Sequence, residues 1–162
     1  MTERKSARKK NKICVVAVSG GFDPIHIGHV RMIQEAKKLA GPNGELVVII
    51  NNDNWLKAKK GFVFMPERER KEVVSHIKGV DRIVMTFHKK NPKDMSVCAE
   101  LRKIKPDIFA NGGDRTKKNI SVLEYSLEKE LNMKMVFGVG KGGKIQSSSW
   151  LVEKAKKAKE NK

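Results

Sequence analysis

Two histidines three residues apart, His26 and His29, flank Gly28 shortly after the glycine pair Gly20 and Gly21. On the first turn of a helix that spacing turns both imidazoles to one side, where they can face the same anion. Glycines let the main chain approach a ligand closely, and a helix start offers unpaired N–H groups and the positive end of a dipole. The segment from Gly20 through Phe22 and Asp23 to His29 therefore suits a phosphate. It matches neither the G-x-G-x-x-G dinucleotide fingerprint nor the G-x-x-x-x-G-K-[ST] P-loop. Taken singly, one histidine could equally pack in a core while the other caps a helix or meets solvent. A zinc pair would lack a third ligand at the usual spacing. His76 and His88 have no such surroundings and read as ordinary surface or helix residues.

For the pair to work, a strand must deliver the bend and a helix must carry it away. Lys12 to Ser19 is a run rich in β-branched residues, which predicts a strand buried on both faces of a parallel sheet. From Ile27 the apolar positions Val30, Ile33, Ala36, Leu39 and Ala40 recur at helical spacing until Gly41, Pro42, Asn43 and Gly44 stop them. Leu46 to Ile50 predicts a second buried strand. Asn51 to Phe64 lacks periodicity and carries Lys57, Lys59 and Lys60, which predicts a long loop of the kind that tends to be functional. Pro66 opens a helix with Val73, Val74 and Ile77 on one face, and Gly79 ends it. Arg82 to Thr86, Asp107 to Ala110 and Met133 to Val139 predict three more strands. Asp94 to Ile104, Ile120 to Leu131 and the stretch from Ser147 onward predict three more helices. Five strands alternating with five helices predict an α/β protein, a Rossmann-like three-layer α/β/α fold with a five-stranded parallel sheet. Ligands of such sheets sit beyond the carboxyl ends of the strands, where the strand order reverses.

The 162 residues carry 35 Lys and Arg against 18 Asp and Glu, a formal charge of +17, with 39% hydrophobic residues. That length fits one domain with a real core, expected over residues 12–152 between a basic tail at 1–11 and a lysine-rich helix end and tail at 153–162. Met1 to Lys12 holds six basic residues against Glu3, and Glu153 to Lys162 five against two acidic ones. Tails of this kind usually stay solvated, and a nucleic-acid contact is the less favoured reading. The basic body would suit a pocket for polyphosphate. No membrane span is expected, because Ile13 to Val18 and Leu46 to Ile50 fall far short of the roughly 20 residues a spanning helix needs. The amino end faintly imitates a secretory signal but lacks its long apolar centre and small-residue cleavage site. Cys14 and Cys98 make neither a zinc module nor a disulfide framework and fit a reducing cytoplasm.

Gly20, Phe22, Asp23, His26, Gly28 and His29 resemble the Gly-x-Phe-Asp-x-x-His-x-Gly-His signature of the cytidylyltransferase-like nucleotidylyltransferases at every fixed position. Further likenesses follow in chain order. Asn51, Asn52 and Asp53 with Lys57, Lys60 and Gly61 resemble the loop after the second strand in the heptose-phosphate adenylyltransferase branch. Pro66, Glu69 and Arg70 resemble a family helix ending in an arginine. Gly112, Gly113 and Asp114 resemble the turn after the fourth strand, and Ser147, Ser148 and Ser149 the Ser-Thr-Thr start of the last helix. In the glycerol-phosphate cytidylyltransferase branch that start follows an Arg-Thr-x-Gly-Ile lead, but here Gly142 stands at the arginine and Ile145 at the glycine. The base and the acceptor therefore stay open.

The resemblance implies transfer of CMP or AMP from CTP or ATP to a small phosphorylated acceptor, a polyol, sugar or alcohol phosphate, with release of pyrophosphate. His26 and His29 would donate to phosphate oxygens, with Gly20 and Phe22 offering N–H groups within the nucleotide-binding run Gly20, Gly21, Phe22, Asp23 and Gly28. Lys57 and Lys60 would hold the α-phosphate or the acceptor phosphate, with Lys59 and Asp53 on the acceptor side; the lysines could also be a solvated cluster. Arg70 would clamp the β- and γ-phosphates, joined by Ser147, Ser148 and Ser149, which could also simply cap their helix. Gly112, Gly113 and Asp114 would also belong to the nucleotide-binding residues, Asp114 accepting from a ribose, base or acceptor hydroxyl, or being a plain turn residue. Asp23 is expected to orient the bend rather than act as a base. Trp55 and Trp150 either cover substrate or pack. Mg²⁺ would arrive with the triphosphate, with no protein cage for it, and a homodimer is common among proteins of this kind.

Overall fold

The computed structural model describes residues 12–140 and 146–160. The basic stretch 1–11 and the departures at Gly142 and Ile145 lie outside the described residues. In chain order the elements are β1 (Val15–Gly20), α1 (Ile27–Ala40), β2 (Glu45–Ile50), α2 (Asp53–Lys60), α3 (Glu67–Ser75), β3 (Arg82–Met85), α4 (Cys98–Ile104), β4 (Ile108–Gly112), α5 (Val122–Glu130), β5 (Lys134–Val139) and α6 (Ser148–Glu160). The five strands form one parallel sheet in the order β3-β2-β1-β4-β5.

Side chains alternate across a strand, so each central strand feeds two cores. Val16 and Val18 of β1, with Leu46, Val48 and Ile50 of β2, pack with Ile33 and Ala36 of α1 and Val74 of α3. Ala17, Ile49 and Phe109 pack on the other face with Leu101 of α4 and Leu127 of α5. Both faces are thus covered by helices, giving the expected three-layer α/β/α architecture with a five-stranded parallel sheet.

Two elements depart from the sequence reading. The stretch Asn51 to Phe64, expected as a loop, contains α2. Asn52 caps that helix by accepting from the Trp55 N–H at 3.1 Å, Asp53 supplies an acid to its first turn, and Gly61 ends it at φ 82°. Only Leu56 of α2 is buried, which is why no apolar periodicity announces it. The helix expected from Asp94 begins only at Cys98, because Asp94 accepts from the Ser96 N–H instead of opening a helical turn.

Arg70, on α3, is 1% exposed and one of the largest fully buried side chains. Its guanidinium donates to the carbonyls of Met65 (2.9 Å), Gly21 (2.7 Å) and Asn51 (2.6 Å) and to Asp53 Oδ1 (2.7 Å). These bonds join the glycine bend, the end of β2, the start of α2 and the approach to α3. A guanidinium so occupied is the frame of the loops rather than a hand extended to the β- and γ-phosphates. Asp53, expected on the acceptor side, spends an oxygen on this frame.

Replacing Arg70 by Met should leave three carbonyls without their donor and cost about 3 kcal/mol or more of unfolding free energy in urea titration. Asp53→Asn, whose side chain is 29% exposed, should cost less than about 1 kcal/mol. Equal, small losses in both variants would show that the guanidinium does not hold the loops.

Candidate active site

The order β3-β2-β1-β4-β5 reverses between β1 and β4. From β1 the chain leaves toward α1 on one face, and from β4 toward α5 on the other, so a crevice opens between their carboxyl ends. A cavity of about 270 Å³ occupies that place.

His26 is the N-cap of α1, and both imidazoles are fixed by main-chain donors. The Gly28 N–H donates to His26 Nδ1 at 3.1 Å, and the His26 N–H donates to His29 Nδ1 at 3.2 Å. With each Nδ1 an acceptor, each neutral ring carries its proton on Nε2. The rings stack with centroids 3.8 Å apart, and the buried Phe22 ring lies 4.8 Å from that of His29. Gly28 makes this possible: a Cβ there would fall 2.9 Å from Cε1 and Nδ1 of His26, so any side chain must displace the ring.

Burial drives His29 down to about 3, helped by the neighbouring His26 and by Lys60. Burial followed by Lys60 also lowers His26. Near neutral pH the pair is therefore two uncharged N–H donors. Lys60 closes α2 and lines the same cavity, its Nζ 3.0 Å from the Asp23 carbonyl. Burial pushes this ammonium below the usual lysine value; Asp23 opposes the shift and Arg70 adds to it. Lys57 and Lys59, on the same helix, are exposed and stand away from the cavity lining. Asp23 accepts from the Phe64 N–H at 2.8 Å and the Met65 N–H at 2.5 Å, so its carboxylate ties the bend to the segment after α2.

The start of α6 meets the bend from across the cavity. Ser147 accepts from the Trp150 N–H at 3.1 Å as a cap, Ser148 donates to the Pro24 carbonyl at 2.8 Å, and Ser149 lines the wall beside them. Gly112, Gly113 and Asp114 form another side. At Gly112 a Cβ would meet Met32 Sδ at 2.6 Å and the Val139 carbonyl at 2.9 Å, so glycine lets α1 and β5 close on the end of β4. Gly20 also lines the cavity, whereas Gly21, Phe22 and Asp23 are not part of its lining.

Sequence reasoning passed over Ser19, Arg31, Met32, Asn111, Arg115 and Gln146, which also line the cavity. Ser19 and Asn111 carried a usable signal: each is a polar residue at the carboxyl end of an otherwise apolar strand. Arg31, Lys60 and Arg115 bring three cations to a wall whose one carboxylate, among the described residues, is Asp114. Among the described residues no group of three or more His, Cys, Asp or Glu could hold a metal ion. The arrangement can bind a polyanion and place neutral N–H donors against one of its phosphoryl groups.

A histidine held near 3 in the fold but near 6.5 when unfolded leaves the unfolded chain with more protons between those values. The resulting stability is complete above about pH 6.5 and falls as the pH drops toward 3. Urea midpoints measured from pH 6.5 to 4.5 should decline, with a slope of up to about 1.4 kcal/mol per pH unit from this group. His29→Gln should flatten the decline; an unchanged slope would refute the burial of a neutral imidazole.

The cytidylyltransferase-like family matches residues 17–157. The chain is 39% identical over 100 residues to FAD synthase of Methanopyrus kandleri, covering 62% of this chain and 63% of that protein. It is 37% identical over 122 residues to FAD synthase of Korarchaeum cryptofilum, covering 75% and 78% respectively. FAD synthase of Methanothermobacter marburgensis is 31% identical over 157 residues, 95% of this chain and 92% of that one. Among solved structures, the lipopolysaccharide core biosynthesis protein of Thermoplasma volcanium superposes with a TM-score of 0.63 at 27% identity, over 80% of this chain and 98% of the other. With the histidine pair at the helix start and a match over most of its length, this chain belongs to the cytidylyltransferase-like family.

Proposed function

We propose that this chain transfers AMP from ATP to flavin mononucleotide, giving FAD and pyrophosphate. FAD is riboflavin phosphate joined to AMP through a diphosphate link, so nucleotidyl transfer is the step that makes it. The observation that carries the reading is the pair of neutral Nε2–H donors beside Lys60 and the α6 start, in a chain whose relatives are FAD synthases.

An oxygen of the acceptor's phosphate monoester attacks the α-phosphorus in line. The new P–O bond forms as the bond to the β-phosphate oxygen breaks, and pyrophosphate leaves with that electron pair. A phosphate monoester, with its second pKa near 6, is already ionised at neutral pH, so the attack needs no protein base. Two uncharged imidazoles fit that requirement. Their task is to donate to α-phosphoryl oxygens as charge grows on them, while Lys60 and the N–H groups at the start of α6 take the charge of the departing end. Mg²⁺ enters with the triphosphate as part of the substrate. Cys14 and Cys98 are free thiols, which suits a reducing cytoplasm.

A sugar-phosphate acceptor is the second reading, favoured by the likeness to the lipopolysaccharide core biosynthesis protein. A pyrophosphate-release assay crossing ATP and CTP with flavin mononucleotide, glycerol 3-phosphate and sugar 1-phosphates separates the two. The expected outcome is turnover with ATP and flavin mononucleotide; turnover confined to a sugar or polyol phosphate would overturn the flavin assignment. His29→Asn should lower kcat by about 10²- to 10³-fold, as loss of a donor to a developing oxyanion does. Gly28→Ala, which displaces the His26 ring, should lower kcat tens-fold, roughly, with little change in far-ultraviolet circular dichroism. Wild-type turnover in both variants would remove the imidazoles from the mechanism.

A further inference from the structure

Phosphates are only part of a nucleotide, and the chemistry described so far leaves one end of the cavity unused. Gly28, Arg31 and Met32 stand at i, i+3 and i+4 along α1 and turn one stripe of that helix to the cavity. Arg31 and Met32 lie about one turn, roughly 5 Å, beyond the helix start that holds the imidazoles. The lining there is mostly apolar, made by Met32, Val139, Gly112 and Gly140. A Cβ at Gly112 would fall 2.6 Å from Met32 Sδ, and one at Gly140, whose φ is 112°, would fall 3.5 Å from Met32 Cα. The ends of β4 and β5 thus close on one thioether without side chains of their own at these two points. A thioether is polarisable and packs favourably against an aromatic ring.

Two of the three cations on the lining are already bonded to protein. Lys60 donates to the Asp23 carbonyl, and the Arg115 guanidinium donates to Asn111 Oδ1 and Glu124 Oε2, both at 3.2 Å. Arg31 is exposed and has no hydrogen bond or ion pair with any described residue. Its guanidinium is planar and weakly hydrated, so it gains most from a flat ring laid against it. A purine offers a larger face for that contact than a pyrimidine does.

With the α-phosphoryl group at the start of α1 and the departing end at the start of α6, the nucleoside is left the end lined by Met32 and the turn after β4. We infer that Arg31 closes this end by stacking its guanidinium on the purine of ATP, with Met32 against the same ring, and so sets a preference for ATP over CTP. This rests on the transfer reading above for ATP as the donor, and adds the residue that selects it.

The test is isothermal titration calorimetry of the full chain with a non-hydrolysable ATP analogue, the matching CTP analogue and inorganic tripolyphosphate, in about 0.15 M salt to screen remote charge. Arg31→Gln, at an exposed position with no described bond to lose, should match the wild type in circular dichroism. It should bind the ATP analogue about 3- to 10-fold more weakly, the range of a stacked guanidinium, and the CTP analogue less so. Tripolyphosphate should stay within about twofold, as an independent contact does. Arg31→Lys should restore only part of the loss, having the charge without the planar group. Unchanged affinity for the ATP analogue overturns the inference. So does an equal loss for tripolyphosphate, which would put Arg31 on the phosphates, an equal loss for the CTP analogue, or a wild-type protein that binds both nucleotides alike. Purine preference that depends on Arg31, in a protein that releases no pyrophosphate with ATP and flavin mononucleotide, would sink the transfer reading and leave this inference standing.

Discussion

A neutral imidazole has one donor and one acceptor, and at the start of α1 both acceptors are taken by main-chain N–H groups. That choice settles the tautomer of each ring without any acidic partner. It also leaves both outward nitrogens as donors, aimed at the same space. The rest of the site follows from keeping this geometry: a glycine between the rings because a methyl group would strike one of them, a phenylalanine beneath the second ring, and a cation near enough to disfavour protonation. A carboxylate beside either ring would raise its pKa and turn a neutral donor into a cation. Asp23, the nearest acid in sequence, has its oxygens held by Phe64 and Met65 instead.

Much of this was legible in the chain. The β-branched runs and the glycine breaks gave the strands and their parallel arrangement, since only central strands of a parallel sheet read as unbroken apolar segments. The histidine pair and the serine run were found because residue type and spacing expose such features directly. The helix α2 was missed because its stability comes from capping and charge at its ends rather than from an apolar face, and capping residues also occur in loops.

Arg70 and Arg115 show a different limit. Both are arginines near segments that the sequence suggests for phosphate, and sequence can distinguish neither the direction of a guanidinium nor the number of its donors already spent. Arg70 faces inward because α3 brings it beneath three carbonyls that need a donor. Arg115 reaches the cavity because Asn111 and Glu124, four residues before it and nine after, converge on it in space. Such assignments depend on contacts between distant elements, and no local pattern encodes them.

The bonds from Arg70, Asp23 and Lys60 reach across residues 21 to 65 and weld the glycine bend to everything between β2 and α3. That half of the cleft can shift only as one block. Among the described residues the head of α6 is held to that block by the bond from Ser148 to the Pro24 carbonyl, so any widening of the cleft would fall on the opposite jaw. A hinge on one side only would then leave the histidine pair on the anvil that does not move.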